Sequence, residues 1–286
     1  MPGLGTILTA SVTPFHADGR VDADGAVRLW RHLLDHGSDG IVVGGTTGEA
    51  TTLSDDEHVG LVMLAVDEIG DHGTVIAGAS SNDTRHAVEL TERVTEAGVD
   101  GILSVTPYYN KPNRRGIVAH FKEVARATDK PILLYNIPSR TALNMPPDLL
   151  AALAQIDGIE AVKQANDDEL RPIDGLRVYA GNDTVLARTL EFGGAGGVLV
   201  SSHVVGEEMR RMVDEPDRRA EIDASLQDVY RAMFITASPA PVKAALNLLG
   251  HDVGGLRLPL VPCNNEELAV VRGVLEAHGL LEVARA

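Results

Sequence analysis

The sequence predicts an α/β protein, a (β/α)8 TIM barrel over residues 1–215 followed by a C-terminal helical domain over residues 216–286. Three observations lead there. Eight short β-branched runs alternate with amphipathic stretches, and strands joined by helical crossovers must lie parallel and can close a barrel. No G-x-G-x-x-G follows the first run, which removes the phosphate-binding turn of an open doubly wound sheet. From Pro216 onward no strand pattern returns.

Residues 7–12 read as the first strand and 26–36 as its helix. Residues 41–43 are the second strand, and Ser54 opens the second helix. Ser54-Asp55-Asp56-Glu57 is a capping box: the serine accepts from a free N–H while the glutamate reaches back. The third strand is 75–77 with a helix over 84–97. The fourth is 102–105 with a helix ending near 127. The fifth is 131–135 with a helix over 147–155. Ile159-Glu160-Ala161-Val162-Lys163 is the sixth. The seventh is 177–180 with a helix over 184–192. The eighth is 197–200, and its helix runs through 212. The runs are short and apolar without alternation, as in strands covered on both faces. Helices over 218–235, 240–249 and 266–277 form an appendage packed on the barrel.

Composition narrows the function. The chain has 286 residues, of which 44% are hydrophobic and 23% charged, the balance of a soluble globular protein. Its net charge of −16 repels phosphate backbones, so nucleic-acid binding is not expected. No apolar run approaches the ~20 residues that cross a bilayer. The N-terminus lacks a basic leader region. Cys263, the only cysteine, allows no internal disulfide and suits a reducing cytoplasm. The ten histidines are scattered, and none is read as a metal ligand.

Lys163 carries the most chemical information. The chain has only five lysines, and this one closes an apolar strand. Burial disfavours an ammonium and brings a free amine nearer neutral pH, where it can attack a ketone. The alternative is a strand-end lysine that snorkels to water. Barrel enzymes place their chemistry at the C-terminal strand ends, and the unusual segments of this chain fall there. Gly44-Gly45-Thr46-Thr47-Gly48-Glu49 offers backbone N–H groups and hydroxyls to a carboxylate, or is a plain glycine turn. Thr106-Pro107-Tyr108-Tyr109-Asn110-Lys111-Pro112 sets two of the five tyrosines side by side, with Tyr108 read as packing. Tyr135-Asn136-Ile137-Pro138-Ser139-Arg140-Thr141 places Tyr135 one strand from Lys163 and offers the Arg140 fork to a second carboxylate. Gly181-Asn182-Asp183 lies at the pocket floor, with Asp183 read as a helix N-cap. Lys243 is expected to be structural, and His58 and His86 to be ordinary helix-surface residues.

Together Gly45-Thr46-Thr47-Gly48-Glu49, Tyr108-Tyr109-Asn110, Tyr135 through Thr141, and Val162-Lys163 resemble the dihydrodipicolinate synthase / N-acetylneuraminate lyase family of pyruvate-dependent class I aldolases. The resemblance covers essentially the whole chain. It implies that Lys163 forms a Schiff base with pyruvate and that Tyr135 shuttles protons. It further implies that Thr46 links Tyr135 to Tyr109, which reaches in from a neighbouring subunit of a homotetramer. Thr47 would hold the pyruvate carboxylate, Arg140 the carboxylate of L-aspartate 4-semialdehyde, and Gly181 and Val198 would complete the pocket. The product would be 4-hydroxytetrahydrodipicolinate, early in lysine and diaminopimelate synthesis, and no metal or organic cofactor would be needed, because the imine itself withdraws the electrons. The alternatives are a sister aldolase acting on a sugar acid or another 2-oxo acid, and a non-catalytic oxo-acid binder. Asn82 and Tyr108 match the pattern of lysine-inhibited members, but His86 stands where many carry an acid, and Asp55 and Ala50 also differ. Weak or absent lysine inhibition is therefore expected. Gln164 occupies a common glutamate position.

Overall fold

A computed structural model describes residues 3–281. Eight parallel strands close a barrel in chain order: β1 (Ile7–Ala10), β2 (Gly40–Val43), β3 (Thr74–Gly78), β4 (Gly101–Val105), β5 (Ile132–Asn136), β6 (Ile159–Gln164), β7 (Arg177–Ala180) and β8 (Gly196–Leu199). Closure comes from β8 pairing with β1, Leu8 opposite Val198. Alternation along each strand divides the core. Leu8, Val42, Ile76, Leu103, Leu133, Tyr135, Ala161, Tyr179 and Val198 fill the barrel interior. Ile7, Ile41, Val75, Ile102, Ile132, Leu134, Val162 and Val178 face the helices. This explains runs without alternation, because both faces are dry.

The helices are α1 (Ala23–Asp35), α2 (Asp55–Ile69), α3 (Thr84–Glu96), α4 (Arg114–Arg126), α5 (Pro138–Thr141), α6 (Pro147–Leu153), α7 (Leu186–Glu191) and α8 (Ser202–Asp214), then α9 (Arg219–Ala232), α10 (Ala240–Leu248) and α11 (Asn265–Ala277). The α2 start is the expected capping box: Ser54 Oγ accepts from Glu57 N at 3.2 Å and Ser54 N donates to Glu57 Oε2 at 2.9 Å. Helix α1 begins three residues earlier than the apolar pattern suggests, because Asp22 caps it by accepting from Gly25 N at 2.9 Å.

Three details depart from the sequence reading or were not foreseen by it. The unit after β6 holds only a single 3-10 turn, Asp167–Glu169, where a barrel unit ordinarily has a helix. Pro172 and Gly175 lie in that stretch, and both disfavour a continuing helix. Strand β1 stops at Ala10 instead of reaching residue 12. The short helix α5 follows β5 immediately, started by Pro138 at its first position. The C-terminal helices share the barrel's outer core: Val242, Leu246, Val271 and Leu275 belong to the same apolar cluster as Leu29 and Trp30.

Candidate active site

The C-terminal ends of the strands open into a cavity of about 510 Å³. Gly44, Gly45, Thr46 and Glu49 line it after β2, Tyr108 after β4, and Tyr135, Ile137, Arg140 and Thr141 along β5 and α5. Ser238, Pro259 and Leu260 close it from the C-terminal region.

Lys163 does not line this cavity but is buried against Tyr135, which does. It is 5% exposed and sits in register with Tyr135 on one side and Tyr179 on the other. Its Nζ stands 4.4 Å from the centroid of the Tyr135 ring. Burial lowers its pKa from the ordinary 10.5 to about 8, with Asp183 opposing that shift and Arg140 adding to it. Burial also pushes the Tyr135 hydroxyl up to about 12, against a smaller pull from Arg140. At neutral pH the tyrosine therefore holds its proton, and the lysine gives up its own far more readily than a solvated lysine would.

The loop after β2 presents unused donors. Gly48 N, Glu49 N and Ala50 N turn back onto the Gly45 and Thr46 carbonyls. Among the described residues the N–H groups and hydroxyls of Thr46 and Thr47 donate to no protein acceptor. Thr47 is buried while Thr46 faces the cavity. Two glycines make this geometry possible. Gly44 has φ +66°, and a Cβ there would fall 2.3 Å from His58 Cε1. A Cβ on Gly78 would fall 2.2 Å from the Gly44 carbonyl oxygen.

His58 is not a surface residue. It is buried under the loop with Nε2 2.7 Å from the Gly78 carbonyl oxygen, and burial lowers its pKa. Asp183 is not the cap of its own helix. It is buried behind Lys163, where its carboxylate accepts from Val200 N at 3.0 Å, Ser201 N at 2.8 Å and Ser201 Oγ at 2.6 Å. Burial raises its pKa while these donors and Lys163 oppose the rise. Gln164 points away from the cavity and accepts from Asn136 Nδ2 and Asn166 N, both at 3.0 Å.

Arg140 is exposed at the cavity rim, and its guanidinium makes no hydrogen bond or ion pair among the described residues. Gly181 N donates to Gln164 O at 2.8 Å, beside the β6 end. Val198 is wholly buried in the barrel interior. Neither these two nor Thr47 line the cavity. Tyr109 stands apart from all of them, 88% exposed with φ +71°. The structure thus gathers Tyr135, Thr46 and Arg140 around one cavity, with Lys163 buried beside Tyr135, and leaves Tyr109 out of its lining.

The sequence profile of the dihydrodipicolinate synthetase family matches residues 3–278. The chain belongs to that family. A 4-hydroxy-tetrahydrodipicolinate synthase of Heliobacterium modesticaldum is 45% identical, aligned over 96% of each chain. One of Moorella thermoacetica is 44% identical over 97% of this chain and 99% of its own. Among solved structures, a dihydrodipicolinate synthase of Bacillus anthracis superposes with a TM-score of 0.93 at 38% identity, covering 100% of both chains. One of Cyanidioschyzon merolae, with lysine bound, has a TM-score of 0.93 at 39% identity over 97% of this chain and 99% of the other. Family membership and the strand-end cavity agree: the pocket sits where a barrel of this kind does its chemistry.

Proposed function

We propose that this protein is a Schiff-base lyase that condenses pyruvate with L-aspartate 4-semialdehyde to 4-hydroxy-tetrahydrodipicolinate. The observation that carries the reading is the buried Lys163 amine against Tyr135, with its pKa lowered to about 8. The names of relatives at 44–45% identity give the product. The free amine adds to C2 of pyruvate, and water leaves to give the imine. The imine draws electrons from C3, whose proton is lost, and the resulting enamine carbon attacks the aldehyde. The aldehyde oxygen takes up a proton. The semialdehyde amino group then displaces Lys163 from C2, closing the ring and freeing the amine.

In this reading Tyr135, protonated at neutral pH, delivers and recovers protons at the reacting centre. Thr47 and the free backbone N–H groups beside it hold the pyruvate carboxylate. Arg140, unpaired at the rim, takes the carboxylate of the semialdehyde. Gly181 and Val198 shape the floor. Tyr109 enters the cavity of a second copy, completing the Thr46 relay within a homotetramer. Its left-handed backbone costs about 1 kcal/mol, which a docked partner would offset. The cytoplasm suits a chain whose lone thiol is held protonated by burial and Glu267.

Borohydride reduction in the presence of pyruvate, followed by peptide mass mapping, tests the reading. A pyruvyl adduct at Lys163 is expected. Turnover with an unmodified Lys163 overturns it. Rates with aspartate semialdehyde exceeding those with sugar aldehydes are expected, and the reverse would favour a sister aldolase. Lysine should bind weakly, because the Asp55 carboxylate in the cavity wall is already paired with His86 at 3.0 Å. Micromolar lysine binding by titration calorimetry would contradict this.

A further inference from the structure

Glu49 ends the threonine loop in an unusual state. It is 1% exposed, has φ +57°, and lies only two residues beyond Thr47. A buried carboxylate beside a site for an anionic substrate would repel that substrate. The chain answers it from the far end of the sequence. Glu49 Oε1 accepts from Lys243 Nζ at 2.8 Å, and Oε2 accepts from Arg257 N at 2.9 Å. Lys243, 1% exposed, also donates to the Gly255 carbonyl oxygen at 2.6 Å and stands 4.2 Å from the Phe15 ring centroid. The Arg257 guanidinium is committed elsewhere, to Glu57 and to the Gly19 and Thr52 carbonyl oxygens. Lys243 is therefore the one cation paired with the Glu49 carboxylate among the described residues.

We propose that Lys243 is a positioning residue for oxo-acid binding: it holds the end of the threonine loop and cancels the charge of Glu49, so that the loop can accept a carboxylate. The inference rests on the reading that this loop holds the pyruvate carboxylate. It does not place Lys243 or Glu49 in contact with substrate. Breaking the pair from its two sides must then have unequal effects. Removing the lysine leaves a buried negative charge beside the substrate carboxylate. Removing the glutamate charge leaves the neighbourhood neutral or positive.

The experiment is borohydride trapping at Lys163 across a pyruvate series, with wild type, Lys243→Met, Glu49→Gln, the double variant and Lys243→Arg, all checked for folding by near-ultraviolet circular dichroism. Lys243→Met should raise half-saturating pyruvate about tenfold or more while the saturated extent of trapping stays at the wild-type level. Glu49→Gln, Lys243→Arg and the double variant should stay within roughly threefold of wild type. A merely structural pair would be damaged equally from both sides. The proposal is overturned if Glu49→Gln raises half-saturation as much as Lys243→Met, or if Lys243→Met leaves it unchanged. If Lys243→Met does not fold, Glu49→Gln decides alone: within threefold supports the proposal, and a tenfold rise overturns it. Absence of trapping in wild type would instead strike the functional reading itself.

Discussion

At the scale of single residues the site trades stability for reactivity. Lys163 is an ammonium forced into an apolar wall, and its depressed pKa means that the folded state disfavours the proton the unfolded chain keeps. Below pH 8 both states are protonated and the full penalty applies. Between about 8 and 10.5 the folded amine is already neutral, and the penalty fades as pH rises. Lys163→Met should therefore raise the melting temperature at pH 7 by several degrees, with the gain shrinking by pH 10, while abolishing turnover. Melts that show no gain at pH 7 would mean that the amine is not desolvated. In wild type the rate of pyruvate trapping should rise with pH to a midpoint near 8. Arg140 pulls the same pKa down, so Arg140→Ala should move that midpoint upward as well as raising the semialdehyde KM about tenfold or more. An unshifted midpoint would place the guanidinium too far from the amine to act on it.

At the scale of elements the loop after β2 depends on one missing methyl group. An alanine at Gly44 would be driven into the His58 ring and would hold a φ of +66°. Gly44→Ala should cost about 2–4 kcal/mol and weaken pyruvate trapping. Adding His58→Ala should recover the steric part and leave the backbone part, a non-additive pair readable in denaturant melts. Full additivity would show that the ring does not support the loop. This contact also shows what a linear reading can hold. The eight strands were legible because β-branched apolar runs reflect a wall dry on both faces, and the Ser54 box was legible because both its partners lie within four residues. The adjacency of Lys163 and Tyr135 was legible because β5 and β6 are consecutive strands, and Thr46 and Arg140 fall at the cavity because both follow strand ends. His58 looked like a surface histidine because its partner, the Gly78 carbonyl, is a backbone group on another strand. The role of Asp183 was hidden for the same reason, since its donors belong to the β8–α8 junction. The Lys243–Glu49 pair spans 194 positions, and no local pattern signals it.

At the scale of the whole molecule the proposed proton relay calls for a second copy of the chain. Tyr109 projects outward on a strained turn, and Lys111 in the same turn also has a positive φ, of 46°. The barrel beneath is closed and its core continues into the C-terminal helices, so moving Tyr109 into its own cavity would require rebuilding that turn. Supply from a second copy requires no such change. It predicts complementation between two inactive variants. Tyr109→Phe removes the relay hydroxyl from one copy's neighbour, and Lys163→Ala removes the nucleophile from the other. Each homo-oligomer should be at least tenfold slower than wild type. After mixing and subunit exchange, some cavities combine an intact Lys163 with an intact Tyr109 from the neighbour, and activity should return to a sizeable fraction of wild type. Exchange is confirmed by native mass spectrometry of differently tagged chains. If mixed oligomers form and remain as slow as their parents, the tyrosine does not act across the interface. If Tyr109→Phe alone turns over at the wild-type rate, the proton path runs through Tyr135 and Thr46 without it.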